Sequence, residues 1–242
     1  MNEPLAQIQT TERISDTVYG ALRDAILTRA LKAGESLSVP ELARRLGVSR
    51  SPVREAVLQL VSDGLAVSEP RKGAVVAQPD EDALLAIHDV RELLEGLSVR
   101  RAAQKIQRAD VMRLEALLKE QRRAVKERDA ALFESTDEAF HAYISEINPE
   151  VRLLQFLRVL RNQMQLAVSV AMANPQHLQR AHLEHTAILK ALRANDPEAA
   201  EAAMRAHITG AKERVAQTLR TAAQNSGDPL RLSEVNGRKH RG

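Results

Sequence analysis

The sequence predicts a mainly α protein in two parts, an N-terminal winged helix-turn-helix and a C-terminal all-α bundle of about six helices. Apolar residues recur at spacings of three and four through most of the 242 residues. Aromatics are only 2% of the chain, so its cores rest on Leu, Ile, Val, Ala and Met, a helix-favouring composition. The one clear pair of β-prone runs flanks the turn from Glu69 to Gly73.

From Arg13 to Arg29, Ile14, Val18, Leu22, Ala25 and Ile26 form one apolar stripe, which predicts an amphipathic helix. Lys32 to Ser36 reads as a turn. Pro40 to Leu46 reads as a short helix closed by Gly47, where a left-handed residue is needed. Ser49 is placed to cap the next helix, with Pro52 in its first turn and Val53, Ala56, Val57 and Leu60 inward. That helix ends near Asp63-Gly64, and a hairpin over 65–68 and 74–77 follows. Gln78-Pro79-Asp80 reads as a linker.

Only helices are expected beyond it, over 81–107, 110–128, 130–146, 149–173, 175–194 and 197–222. Asp110, Asn148-Pro149, Asn174-Pro175 and Asp196-Pro197 are their start signals. The expected organisation is a flexible tail over 1–12, a winged helix-turn-helix domain over 13–77, a linker over 78–80, a helical domain over 81–222 and a disordered tail over 223–242.

The absence of cysteine excludes disulfides and thiolate metal sites and is compatible with a cytoplasmic location. No stretch approaches the ~20 apolar residues of a membrane span, and Met1 to Glu12 does not read as a signal peptide. Net charge is weak support for nucleic acid: residues 1–77 hold ten Lys/Arg against nine Asp/Glu. Placement carries the case instead.

In Leu46-Gly47-Val48-Ser49-Arg50-Ser51-Pro52-Val53-Arg54-Glu55-Ala56, Arg50 and Arg54 share the helix face opposite Val53, Ala56 and Val57. The second helix of a helix-turn-helix lies in the major groove, and arginine reads guanine there with two hydrogen bonds. Ser49 and Ser51 suit phosphate contact at the helix N-terminus. Arg71 and Lys72 give the hairpin a basic tip. Two arginines alone could be a solvated face; the glycine turn before them and the hairpin after them favour DNA.

With Ala33-Gly34-Glu35, Glu41-Leu42-Ala43, Asp63-Gly64-Leu65 and Arg71-Lys72-Gly73-Ala74-Val75-Val76, this run resembles the winged helix of GntR-family regulators. The resemblance implies operator base contacts from Arg50 and Arg54 and places the wing glycine at Gly73. Some members carry arginine where this chain has Pro40, so base contact from the shorter helix is not implied here; Arg44 or Arg45 can instead reach phosphate, or simply be solvated.

Asp137 and His141 lie four residues apart on one helix face, between Phe133 and Ile144. His185 falls in line with Leu178, Ala181, Ile188 and Leu192, and His207 with Met204, Ala211 and Val215. A carboxylate and imidazoles on inward stripes are costly unless paired or bound to a cation. They can hold a divalent transition metal (zinc, nickel, iron or manganese) with positions open for water or a carboxylate. They can equally form hydrogen-bonded core pairs, and His182, three residues before His185, competes as a ligand. Residues 81–222 resemble the FCD-type effector domain of GntR regulators, in its shorter branch, through Asp89 to Glu95, Asp137 to His141, Asn148, Glu184 to Leu189, Asp196 and Ala199 to Ile208. That resemblance implies metal ligation by Asp137, His141, His185 and His207. It also implies a small carboxylate effector, for which Arg91 is the first candidate, although Arg91 can instead pair with Glu95. Arg158 and Arg161 are weaker candidates.

Glu138 and His141 match the Glu-x-x-His motif of di-iron enzymes, but the chain has no second copy. A metal that only staples the helices is the other alternative. The reading is a homodimeric, non-enzymatic repressor responding to a small molecule.

Overall fold

The computed structural model describes residues 13–167 and 174–225. The expected N-terminal tail, the end of the helix expected over 149–173 and all but the start of the C-terminal tail lie outside them. The chain divides between Gln78 and Pro79 into two compact units.

In the first unit, α1 (Ile14–Leu27) buries Val18, Leu22 and Ile26 on the stripe set by its sequence. Helix α2 (Val39–Leu46) stops at Gly47, whose φ of 67° would strain a residue with a Cβ. Helix α3 (Arg50–Ser62) buries Val53, Ala56, Val57 and Leu60. Ser49 occupies its N-cap position, but its side chain makes no capping hydrogen bond, contrary to expectation. The Tyr19 hydroxyl donates to the buried Asp63 carboxylate at 2.6 Å, fastening α1 to the end of α3. Strands β1 (Ala66–Glu69) and β2 (Gly73–Val76) pair antiparallel from Ala66↔Val76 to Glu69↔Gly73.

The segment read as a turn also joins this sheet. Ser36 bridges Val75, the Leu37 N–H donates to Ala74 O at 2.8 Å, and the Val76 N–H donates to Glu35 O at 2.9 Å. One bridged residue is too short to produce strand periodicity.

The second unit contains α4 (Glu81–Ala103), α5 (Arg108–Glu127), α6 (Ala130–Ile147), α7 (Val151–Ala167), α8 (Pro175–Arg193) and α9 (Pro197–Asn225). Helices α4 and α9 run antiparallel, as the ion pairs Arg100–Glu198, Arg205–Glu92 and Lys212–Asp89 show. Val99, Leu114, Phe140, Ile144, Ile188, Leu192 and Met204 build the main core from five of the six helices.

The start signals are partly reassigned. Asp196 and Asn174 cap α9 and α8 through the N–H groups of Ala199 and Gln176. Asp110 does mark the start of α5, but as the third helical residue of a capping box whose cap is Gln107. Asn148 closes α6, and the Glu150 carboxylate accepts the Leu153 N–H at the start of α7.

Candidate functional site

On the first unit, Ser49, Arg50, Ser51 and Arg54 are all exposed at the N-terminal end of α3. Neither Arg50 nor Arg54 has a carboxylate partner among the described residues, so both guanidiniums are available to a ligand. Arg44 is committed differently, with a two-pronged contact to Glu41 at 2.7 and 3.1 Å. Arg71, Lys72 and Gly73 form the exposed hairpin tip, where Lys72 pairs with Glu69 at 2.8 Å. Gly73 has φ +80°, and Arg71 itself takes a positive φ of 69° there.

On the second unit, α6, α8 and α9 bring Asp137, His141, His185 and His207 together, with one ligand atom from each within 4.8 Å of the others. His141, His185 and His207 are 2%, 0% and 3% exposed, whereas Asp137 is half-buried. The Nε2 atoms of His185 and His207 face each other at 3.2 Å, and Asp137 Oδ1 lies 3.5 Å from His185 Nε2. The sequence allowed a simple Asp137–His141 pair, but His141 has another partner. Its Nδ1 lies 2.5 Å from Glu95 Oε2.

All three imidazoles share this pattern. His185 Nδ1 meets Gln121 Oε1 at 2.9 Å, and His207 Nδ1 meets Glu184 Oε2 at 2.9 Å. These oxygens are acceptors, so each Nδ1 carries the ring proton and each Nε2 carries a lone pair. Three lone pairs thus point into one small volume, and among the described residues His141 Nε2 is buried with no hydrogen-bond partner. Such an arrangement is repulsive unless a metal ion lies among the nitrogens or a proton is shared between the two Nε2 atoms 3.2 Å apart. The residues therefore fit a divalent transition metal.

The supporting acceptors are themselves braced by arginine. Arg91 Nε donates to Glu95 at 2.7 Å, and Arg214 grips Glu184 with both terminal nitrogens at 2.9 Å. Burial alone would raise the Glu95 carboxyl, but Arg91 and His141 hold it well below the usual carboxylate range. Glu184 is likewise brought down to about 2 against its own burial, by His207 and Arg214. Burial lowers His185 and His207 below the ordinary imidazole value, so a metal need not displace protons from them at neutral pH.

A cavity of about 100 Å³ adjoins the centre, with His141, Asp137 and His207 on its wall beside Arg91, Arg161 and Arg214. Arg91 pairs with Glu95, as the sequence allowed, and its side chain also lines the cavity. His182 lies outside the four-residue cluster. Glu138 bonds Gln165 and also stands outside the cluster. His88, without an evident partner in the sequence, is buried against Leu84 O at 2.8 Å.

Glu95, Gln121 and Glu184 were missed as supporting residues. A signal existed: Gln121 follows Leu114 and Leu118 on an apolar stripe, and Glu95 sits on an inward face four residues after Arg91. Replacing Gln121 by Met is expected to weaken metal binding about 10–100-fold, because His185 loses the acceptor that fixes its tautomer. Competition against a chelator of known affinity measures this, and an unchanged affinity would remove Gln121 from the support of the site.

His88 gives a pH prediction. Burial, reinforced by the Arg91 charge, lowers its value from 6.5 to about 4. The folded state therefore keeps His88 neutral while the unfolded chain takes up a proton. Stability should be whole above pH 6.5 and decline as pH falls towards 4, by up to about 3 kcal/mol from this residue. Urea unfolding in chelator at pH 7 and pH 4.5 should show a smaller loss for His88→Gln than for the wild type.

Two exposed, unpaired arginines leading the second helix of a winged helix-turn-helix define a DNA-binding transcription regulator. The comparisons agree: residues 14–76 match the bacterial regulatory proteins of the gntR family, and residues 86–210 match the FCD domain. The chain belongs to the GntR family, with an FCD domain as its second part, and it is a regulator rather than an enzyme.

It is 27% identical to the HTH-type transcriptional repressor RspR of Escherichia coli K12, over 92% of this chain and 96% of that one. It is 30% identical to a Paenarthrobacter nicotinovorans protein named Probable D-xylose utilization operon transcriptional repressor, over 82% and 89%. The solved structure of E. coli McbR/YncC superposes with a TM-score of 0.71 at 24% identity, over 86% of this chain and all of that one. A GntR regulator from Rhodococcus sp. RHA1 gives 0.68 at 24% identity, over 84% and 97%. These two likenesses concern the fold alone.

Proposed function

We propose that this chain is a cytoplasmic, homodimeric repressor whose operator binding is set by a small carboxylate received at a metal centre. Residues 13–77 bind the operator, residues 78–80 link, and residues 81–222 carry the metal, the effector and the dimer contacts. Arg50 and Arg54 read bases. Ser49, Ser51, Arg44, Arg71, Lys72 and Gly73 meet the DNA backbone or the minor groove, Arg44 only on leaving Glu41. The names of RspR and the D-xylose operon protein support repression. Among the described residues, no helix is long and apolar enough to cross a membrane.

The observation that carries the reading is the convergence of three Nε2 lone pairs whose Nδ1 atoms are each committed to a fixed acceptor. Asp137, His141, His185 and His207 would hold zinc, nickel, iron or manganese, which offers a Lewis-acidic position to a carboxylate oxygen. Arg91 adds positive charge on the cavity wall. Coupling to DNA requires the effector to bind the two operator-affinity states unequally.

Anisotropy of a labelled operator fragment, titrated with a panel of small carboxylates, tests this in metal-loaded and chelator-treated protein. At least one carboxylate should change operator affinity by about 5–150-fold, and only in the loaded protein. An equal response after chelation, or none to any carboxylate, would contradict it; the latter would favour a metal that only fastens the helices.

A further inference from the structure

Two buried polar atoms at the cavity remain unmatched after the metal ligands and their supports are accounted for. Both belong to α7, a helix that contributes nothing to the four-residue cluster. Among the described residues, Arg161 Nη1 is buried and has no hydrogen-bond partner, and Gln165 Oε1 is in the same condition. Both residues line the cavity, one turn apart. The remaining end of Gln165 is fixed, because its Nε2 donates to the Glu138 carboxylate. This contact orients the amide with its oxygen as the unmatched group.

A buried guanidinium N–H and a buried amide oxygen without partners each cost free energy, and a ligand that satisfies both recovers it. Arg161 calls for an anionic acceptor. Gln165 Oε1 calls for a donor, and an unsubstituted aliphatic acid has none to give.

We propose that Arg161 and Gln165 form the recognition pair for the effector, which is a small carboxylate bearing an adjacent hydrogen-bond donor, a hydroxyl or an ammonium. This rests on the carboxylate reading above and adds the donor requirement. Arg161 anchors the carboxylate. Gln165, held by Glu138, rejects acids that lack the donor, since they would leave its oxygen buried and unsatisfied.

Propionate, lactate and alanine form a size-matched test set with no donor, a hydroxyl and an ammonium. Their dissociation constants are measured by calorimetry on metal-loaded wild-type protein, Gln165→Met and Arg161→Met, with metal content determined for each. The expected result is lactate or alanine binding at least about tenfold tighter than propionate, and which of the two wins identifies the donor. Gln165→Met should level the acids towards the propionate value. Arg161→Met should weaken the preferred acid and propionate by similar factors.

Propionate binding as tightly as the others overturns the donor requirement while leaving the carboxylate reading intact. A preference that survives Gln165→Met comes from chelation by the metal and overturns the role of Gln165. Propionate loss absent in Arg161→Met overturns the anchor. Failure of all three acids to bind a protein of full metal content overturns the proposal and counts against the carboxylate reading, without touching the metal centre.

Discussion

Replacing His185 by Ala should abolish stoichiometric metal binding. His185 is fully buried, stacks on Phe140 at a centroid distance of 4.6 Å, and brings its Nε2 within 3.2 Å of His207 and 3.5 Å of Asp137. On the proposed ligand set, losing it removes a ligand outright, so the fall in affinity should exceed the roughly 10–100-fold typical of losing a supporting partner. The consequence for stability separates this from a packing defect. At a free metal concentration of 100 times Kd, binding stabilises the wild-type fold by about 2.7 kcal/mol, and this increment should vanish in the variant. The metal-free variant should pay only for lost packing, offset by relief of the Nε2 atoms that face each other at 3.2 Å. Unfolding with and without metal measures both quantities. A variant with the full metal-dependent increment would show that His185 is not a ligand.

Replacing Arg50 by Ala should cost about 1–3 kcal/mol of operator discrimination, roughly 5–150-fold. Arg50 is the first residue of α3, exposed and, among the described residues, without a carboxylate partner. A residue that reads bases changes specific binding more than nonspecific binding, whereas a phosphate contact lowers both and reduces the salt dependence. Titrations against operator and scrambled duplexes at two salt concentrations distinguish these outcomes. Equal losses on both duplexes would make Arg50 a backbone contact.

Local chemistry made most of the fold legible. Gly47, Asn174 and Asp196 act within three residues of their own positions, and the apolar stripes of α1, α3 and α8 face inward as spaced. Misreadings arose where one signal admits two positions. Asp110 resembles a cap, but Gln107 three residues earlier holds that position and Asp110 answers it.

The four candidate ligands were visible because each interrupts an apolar stripe. Their supports were harder to see. Glu95 is 46 residues from His141, and Gln121 is 64 from His185, so no helical spacing connects them. Glu184 adjoins His185 in sequence, yet it serves His207. Arg91 was read as a choice between pairing and ligand binding, but a guanidinium on a cavity wall can donate to Glu95 through Nε and still border the cavity.

Elemental analysis of the purified protein, before and after dialysis against a chelator and with operator binding followed in parallel, tests the central claim most directly. A metal-centred sensor predicts one transition metal per chain, removed by the chelator together with the carboxylate response but not with basal operator binding. Absence of metal under every loading condition would contradict it, and would reduce Asp137, His141, His185 and His207 to a buried hydrogen-bonded cluster.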